Sequence, residues 1–294
     1  MKQDPFLLQR MRLILLLALP SFLFLHISCK KYSPAAEAFF IRPGKITVAT
    51  QNGQGSGSHK ITDLWLYVNG KFQGAYPVEN LMPIVTKGKQ SKINILAGIK
   101  KNGIADTRIF SNFYSLLEFD TLVENGKTIE RPFTFTYSGA VTFTWTEDFD
   151  GQGYTLQKSG LYSDTTFVIA PPSECFEGKS AVLGLSAPTP TGSIAQVESL
   201  NSFELPKNSP DVFLELNYKC NHAFIVGMTD DAGVMKPVMT VNPQENWNKI
   251  YIQLSDAIAA QPSFRYKIYF ALFKEADGTS PTLYLDNIKL LYIP

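Results

Sequence analysis

The side chains able to do covalent or metal chemistry are few and scattered along this 294-residue chain. His59 lies beside a Gly/Ser-rich segment and His222 follows Cys220 by two residues, with no paired-histidine or CxxC spacing near either. A zinc site therefore lacks its ligands. Cys220 and His222 would share one face of an alternating strand, but a nucleophilic pair must face in space, and Cys175 is the more natural partner for Cys220. Gly184-Leu185-Ser186-Ala187-Pro188 lacks the second glycine of a nucleophile elbow. A glycosidase needs only two carboxylates at a set separation. Glu174, Glu177, Asp230 and Asp231 are available, but all four fall in polar loop segments where acids are ordinarily just solvated. The expectation is a protein that is not an enzyme.

Binding is better provided for. In ITDLWLYV (61–68) a period of two puts Leu64, Leu66 and Val68 on one face and Asp63, Trp65 and Tyr67 on the other. Two readings stand side by side. The aromatic face either stacks a sugar ring or seats a protein partner, or it packs internally against another sheet or domain. Further along, Trp145, Trp247 and Tyr251 are the aromatics to inspect. Trp145 alternates with Phe143 and belongs to a core. Trp247, in the polar segment PQENWNK, is the one placed for exposure, with Tyr251 close by as a second candidate.

These residues need strands to carry them, and the sequence is rich in strand signals. KITVAT (45–50), ITDLWLYV (61–68), KFQGAYPV (71–78), SKINILAGI (91–99) and RPFTFTYSG (131–139) alternate, and Asn69-Gly70 between two of them marks a tight hairpin. A second series runs from AVTFTWTEDFD (140–150) through TTFVIA, KSAVLGL, VFLELNY, AFIVGM, KIYIQL and RYKIYFALF to TLYLDNIKLLYI (282–293). Only SDAIAA (255–260) reads as a short helix, with Ser255 as its cap. The pattern predicts an all-β chain of two β-sandwich domains, 39–138 and 139–294.

LYVNGK, GAYPV and GIKKNG resemble the turn chemistry of small sandwich modules of the PEGA or transthyretin-like kind, which implies a spacer or adhesive platform. WTEDFD, CFEGKSAVLGL, ENWNKIYIQL and LYLDNIKLLYI resemble, in that order, the jelly-roll, galactose-binding-like modules of secreted bacterial proteins. That resemblance implies ligand binding at the loops of one end or on the concave face of one sheet. It also implies a structural calcium held by Glu147 or Asp148 and by Asp286, although calcium takes six to eight oxygen ligands. The alternative is that these acids are simply exposed on edge strands. No other cofactor is expected.

The N-terminus fixes the compartment. Lys2, Arg10 and Arg12 precede an apolar run, Leu13 to Ile27, which spans roughly 22 Å as a helix against a ~30 Å hydrocarbon core. Positive start, short apolar run and small residue before the break are the parts of an export signal over residues 1–28. Ser28-Cys29 resembles the end of a bacterial lipobox, with His26 where leucine is usual and Leu25 one place earlier. CKKYSP resembles the start of lipoproteins of the Bacteroidota. The resemblance implies an acylated Cys29 followed by a tether, 29–38, and an outer-membrane protein. Lys30 and Lys31 precede the first acid, Glu37, which by that resemblance favours the periplasmic face over the cell surface. The alternative is an ordinary secreted protein.

Removing residues 1–28 takes the formal charge from +1 to −1, so nothing electrostatic favours nucleic acid. The remaining Cys175 and Cys220 either bridge, as an oxidising compartment permits, or stay as free thiols. The sequence thus predicts a membrane-anchored, non-catalytic protein that binds a glycan or an envelope protein. Its alternative is a structural subunit of an envelope secretion, motility or uptake complex.

Overall fold

The structure is a computed structural model that describes residues 38–294 apart from 87–89, 125 and 161–162. The export signal, Cys29 and the tether up to residue 37 lie outside the described residues.

The first eight strands are β1 (Phe39–Ala49), β2 (Asp63–Val68), β3 (Lys71–Pro77), β4 (Met82–Ile84), β5 (Gln90–Lys100), β6 (Arg108–Phe110), β7 (Leu117–Leu122) and β8 (Thr128–Thr136). They form two sheets. One runs β4-β1-β8, with β1 and β8 parallel; the other runs β3-β2-β5-β6, with β7 also paired to β5. Asn69 and Gly70 take φ of 50° and 75° and join β2 to β3, the two positive φ values that a two-residue hairpin of right-handed twist requires. Leu64, Leu66 and Val68 of β2 and Ile93 and Ile95 of β5 meet Phe39, Ile41, Phe133 and Phe135 of the facing sheet in one core.

The rest of the chain forms β9 (Thr142–Glu147), β10 (Leu156–Lys158), β11 (Val168–Ile169), β12 (Ala181–Gly184), β13 (Ile194–Ser199), β14 (Phe203–Glu204), β15 (Val212–Cys220), β16 (Phe224–Asp230), β17 (Met235–Val241), β18 (Gln244–Gln253), α1 (Ser255–Ala259), β19 (Arg265–Phe273) and β20 (Thr282–Tyr292). One sheet runs β11-β12-β20-β15-β18, with β9 beside β20. The other runs β10-β13-β19-β16-β17, with β14 beside β19. Leu214, Leu216, Ile250, Ile252 and Leu290 of the first meet Val197, Val226, Ile268 and Phe270 of the second. The fold is an all-β sandwich architecture, as the alternation predicts.

The helix differs from expectation at its start. Ser255 is the first helical residue, not the cap, and its hydroxyl accepts the Val212 N–H at 3.1 Å.

The outer face of the β20-β15-β18 sheet is covered. Phe213, Tyr251 and Leu291, which alternate with that sheet's inward residues, belong to the same apolar cluster as the first sandwich. The turn at 101–103 closes the contact: Asn102 N–H donates to Tyr251 C=O at 2.8 Å, and its Oδ1 accepts the Gln253 N–H at 2.8 Å. The two cores are therefore neighbours across one sheet.

Candidate functional site

The aromatic face of β2 points outward. Leu64 and Leu66 are fully buried, while Trp65 and Tyr67 on the opposite face are half-buried. The core is filled by the aliphatic residues that alternate with this face, which is itself partly covered: Asp63 and the Trp65 indole nitrogen are buried. Two phenylalanines extend the stripe. Phe72 comes opposite Tyr67 through the hairpin register, and Phe110 comes opposite Gly98 on the neighbouring pair. Ring centroids lie 5.6 Å apart for Trp65 and Phe72, 5.4 Å for Trp65 and Phe110 in an edge-to-face pair, and 5.2 Å for Tyr67 and Phe72. Such separations suit favourable ring–ring contact. Phe72 is 51% exposed and Phe110 39%.

Gly98 lets the indole lie against the sheet. A Cβ there would stand 2.9 Å from Trp65 Nε1 and 2.8 Å from Asp63 Cβ. The four rings thus form a low platform. Polar groups flank it on both sides. Asp63, buried, pairs with Arg108 and accepts the Thr62 hydroxyl at 2.7 Å, so it orients an arginine at the rim instead of reaching solvent itself. Beyond Tyr67, Asn94 donates to Glu118 at 2.9 Å and Lys92 pairs with the same carboxylate at 2.7 Å. Those two donors hold the Glu118 carboxyl below its ordinary value.

Trp247 and Tyr251 do not join this aromatic cluster. Trp247 is half-buried: its indole N–H donates to Glu174 C=O at 3.1 Å, and its ring sits between Phe176 and Tyr284 with Lys219 above. It clasps a loop to the sheet. Tyr251 is buried beneath the first sandwich, where its hydroxyl accepts the Lys60 N–H at 2.8 Å. Trp145 is in the core, stacked on Phe203 and bonded to the Thr155 hydroxyl at 2.7 Å.

The proposed calcium acids serve their own loops. Glu147, buried, accepts the Phe149 N–H at 2.8 Å and both the N–H and hydroxyl of Thr155 at 2.5 and 2.6 Å. Asp148 accepts the Asp150 N–H at 3.1 Å. Asp286 accepts the Ser180 hydroxyl at 2.7 Å and the Glu177 and Asn287 N–H groups at 3.2 and 2.7 Å. Burial pushes its carboxyl up to about 6. Oxygens satisfied in this way do not fit a calcium site, and among the described residues no group of three or more histidine, cysteine or acidic side chains gathers to hold a metal.

Cys175 and Cys220 are free, so the bridge between them is not made. Cys220 points into the second core, whereas Cys175 lies after a 3-10 turn, its thiol against the Ala170 and Pro171 carbonyls. His222 turns away from Cys220 to Asp277 at 3.1 Å and to Asn221. The four loop acids do not stand as an acid–base pair. Glu174 pairs with Lys219, Glu177 accepts Asn287 and Ser56, Asp230 accepts the Ala232 and Val234 N–H groups of its turn, and Asp231 is exposed.

Phe72 was recoverable from sequence, since the Asn-Gly turn fixes its register against Tyr67. Phe110, Arg108 and the role of Gly98 were not, because β6 is only three residues long.

No family model matches the chain, and no curated protein matches it. Among solved structures, it is similar to a family 29 carbohydrate-binding module variant complexed with mannohexaose, with a TM-score of 0.34 and 11% identity over 52% of this chain and 91% of that one. Another variant of that module, complexed with cellulohexaose, gives 0.33 and 11% over 53% and 92%. Likeness at this level assigns neither family nor ligand to this chain.

Proposed function

We propose that the chain is a non-catalytic, lipid-anchored glycan-binding protein of the cell envelope, presenting the Trp65/Tyr67/Phe72/Phe110 platform as its contact surface. The observation that carries the reading is the exposure of Phe72 and Phe110 over half-buried Trp65 and Tyr67, beside Arg108, Asn94, Lys92 and Glu118. A pyranose offers a flat C–H face to an aromatic ring and hydroxyls to the polar groups around it. The envelope location and the acyl chain on Cys29 rest on residues 1–29 of the sequence: two or three chains at ~0.8 kcal/mol per buried methylene make attachment effectively permanent. The periplasmic face of the outer membrane is the side favoured by Lys30 and Lys31.

A panel of soluble neutral polysaccharides (a mannan, a β-glucan and a xylan), run by affinity electrophoresis, tests the reading. Retardation by at least one, lost in Phe72→Ala, is expected; equal mobility in all three contradicts it.

Phe72 and Phe110 lack polar tips, which favours a second reading, a subunit of an envelope secretion, motility or uptake complex. Extraction in mild detergent followed by native sizing separates the two. A large stoichiometric assembly supports the second reading, and a monomer removes it.

A further inference from the structure

A concavity of about 440 Å³ lies between the first sandwich and the β17–β18 end of the second. Its volume falls within the roughly 300–1,000 Å³ of small-molecule sites. The first sandwich supplies Lys60, Thr62, Lys100 and residues 102–104; the second supplies Tyr218, the end of β17, Asn242, Gln244 and the 248–251 segment of β18.

Its charge is one-sided. Lys60, Lys100 and Lys249 all line it, and the lining contains no aspartate or glutamate. Lys249 is buried and stands 3.1 Å from Glu215, which lies beneath the wall. Lys60 reaches across the cleft to the Asn248 side-chain carbonyl, and neither Lys60 nor Lys100 has an ion-pair partner among the described residues. Burial, and then the charge of Lys100, pull the Lys60 ammonium below its ordinary value. Lys249 is answered by Glu215, but the like charges of Lys60 and Lys100 repel in one concavity, and an anion placed between them would relieve that repulsion.

The remaining polar wall is neutral and bears both donors and acceptors. Asn242 and Gln244 offer amides, Asn102 keeps its amide N–H groups and Tyr218 its O–H, whereas the Asn248 amide is held by Lys60 and Tyr218 and the Thr62 hydroxyl by Asp63. The unengaged groups match a guest rich in hydroxyls. We infer that this cleft is a binding site for an anionic, hydroxyl-rich molecule of the size of one or two sugar units, an acidic saccharide being the chemical class that combines the two features. The site is separate from the aromatic platform and does not depend on the role given to it.

The cleft is also held open by construction. Asn102 and Gly103 take φ of 56° and 70°, and a Cβ on Gly103 would stand 3.2 Å from Ile250 Cδ1. The turn therefore presses its backbone onto β18, beside half-buried Lys100.

Calorimetric titration of the anchored protein in detergent tests the inference with digalacturonate and glucose 6-sulfate as carboxylate and sulfate probes, and digalactose as the neutral control. At least one anionic probe should bind tenfold or more tightly than digalactose. That binding should weaken tenfold or more in Lys100→Glu and in Lys60→Gln, and weaken again when salt is raised. Lys100→Glu should keep the wild-type melting temperature, because Lys100 has no ion pair to lose. Neither probe binding more tightly than digalactose, or a preference left intact in Lys100→Glu, would overturn the inference. If the carboxylate probe alone shows the effect, the acid is a uronate type; if the sulfate probe alone does, it is a sulfated sugar.

Discussion

Tyr137 of the first sandwich donates a 3.0 Å hydrogen bond to Glu215 of the second, and both residues are buried. Around them Lys249 stands 3.1 Å from the same carboxylate, and Lys289 donates to the Tyr137 hydroxyl at 3.2 Å and to Ser56 C=O at 2.5 Å. Ser58 reaches Asn217 at 2.9 Å. The Gly/Ser segment 51–58 thus covers charged residues on the outer face of a sheet. Removing one partner from such a network strands the others without solvent.

Tyr137→Phe should therefore destabilise the protein by about 1–3 kcal/mol, the cost of removing a buried hydroxyl that serves both Glu215 and Lys289. Thermal unfolding should show one transition for both sandwiches, since either alone would uncover Glu215, Lys249 and Lys289. Two separate transitions in calorimetry would contradict this coupling.

Lys289 gives a pH signature. Burial lowers its ammonium from 10.5 to about 8. Between those values the unfolded chain holds a proton that the folded chain has released, so stability rises with pH across that window. Below about pH 8 the buried charge is a cost. The melting temperature of the wild type relative to Lys289→Met should climb between pH 8 and 10. A flat difference would show that Lys289 is not desolvated.

Gly98→Ala should disturb the platform from beneath. The added methyl would meet Asp63 Cβ at 2.8 Å and Trp65 Nε1 at 2.9 Å. Overpacking of this kind costs about 1–3 kcal/mol. Glycan affinity should fall together with stability, measured by titration and by thermal melting, because the indole must lift. Unchanged affinity would mean that Trp65 does not set the surface.

Cys29→Ala should move the protein from the membrane fraction to the soluble fraction of the cell envelope. If the variant still fractionates wholly with membranes, acylation at Cys29 is not the anchor.

Much of this fold was legible from alternation. The strands of the first core announce themselves because Leu64, Leu66 and Val68 alternate with Asp63, Trp65 and Tyr67, and Asn69-Gly70 has one dominant meaning. Other strands left weak traces. β13, IAQVES, carries Gln196 and Glu198 on the face away from the core, and β17 contains Pro237 beside a register shift on a sheet edge. The site was only half legible for a different reason. Period-two patterning tells which residues share a face but not what covers that face. Tyr251 and Trp65 both looked like outward aromatics; the first sandwich buries Tyr251, whereas Trp65 stays half-buried.

Saturation-transfer NMR on the bound polysaccharide tests the central claim most directly. With the wild type, the ring C–H protons of the sugar should receive saturation from the aromatic platform, and the double variant Phe72→Ala/Phe110→Ala should abolish the effect. Undiminished saturation in that folded variant would place glycan contact elsewhere and contradict the account.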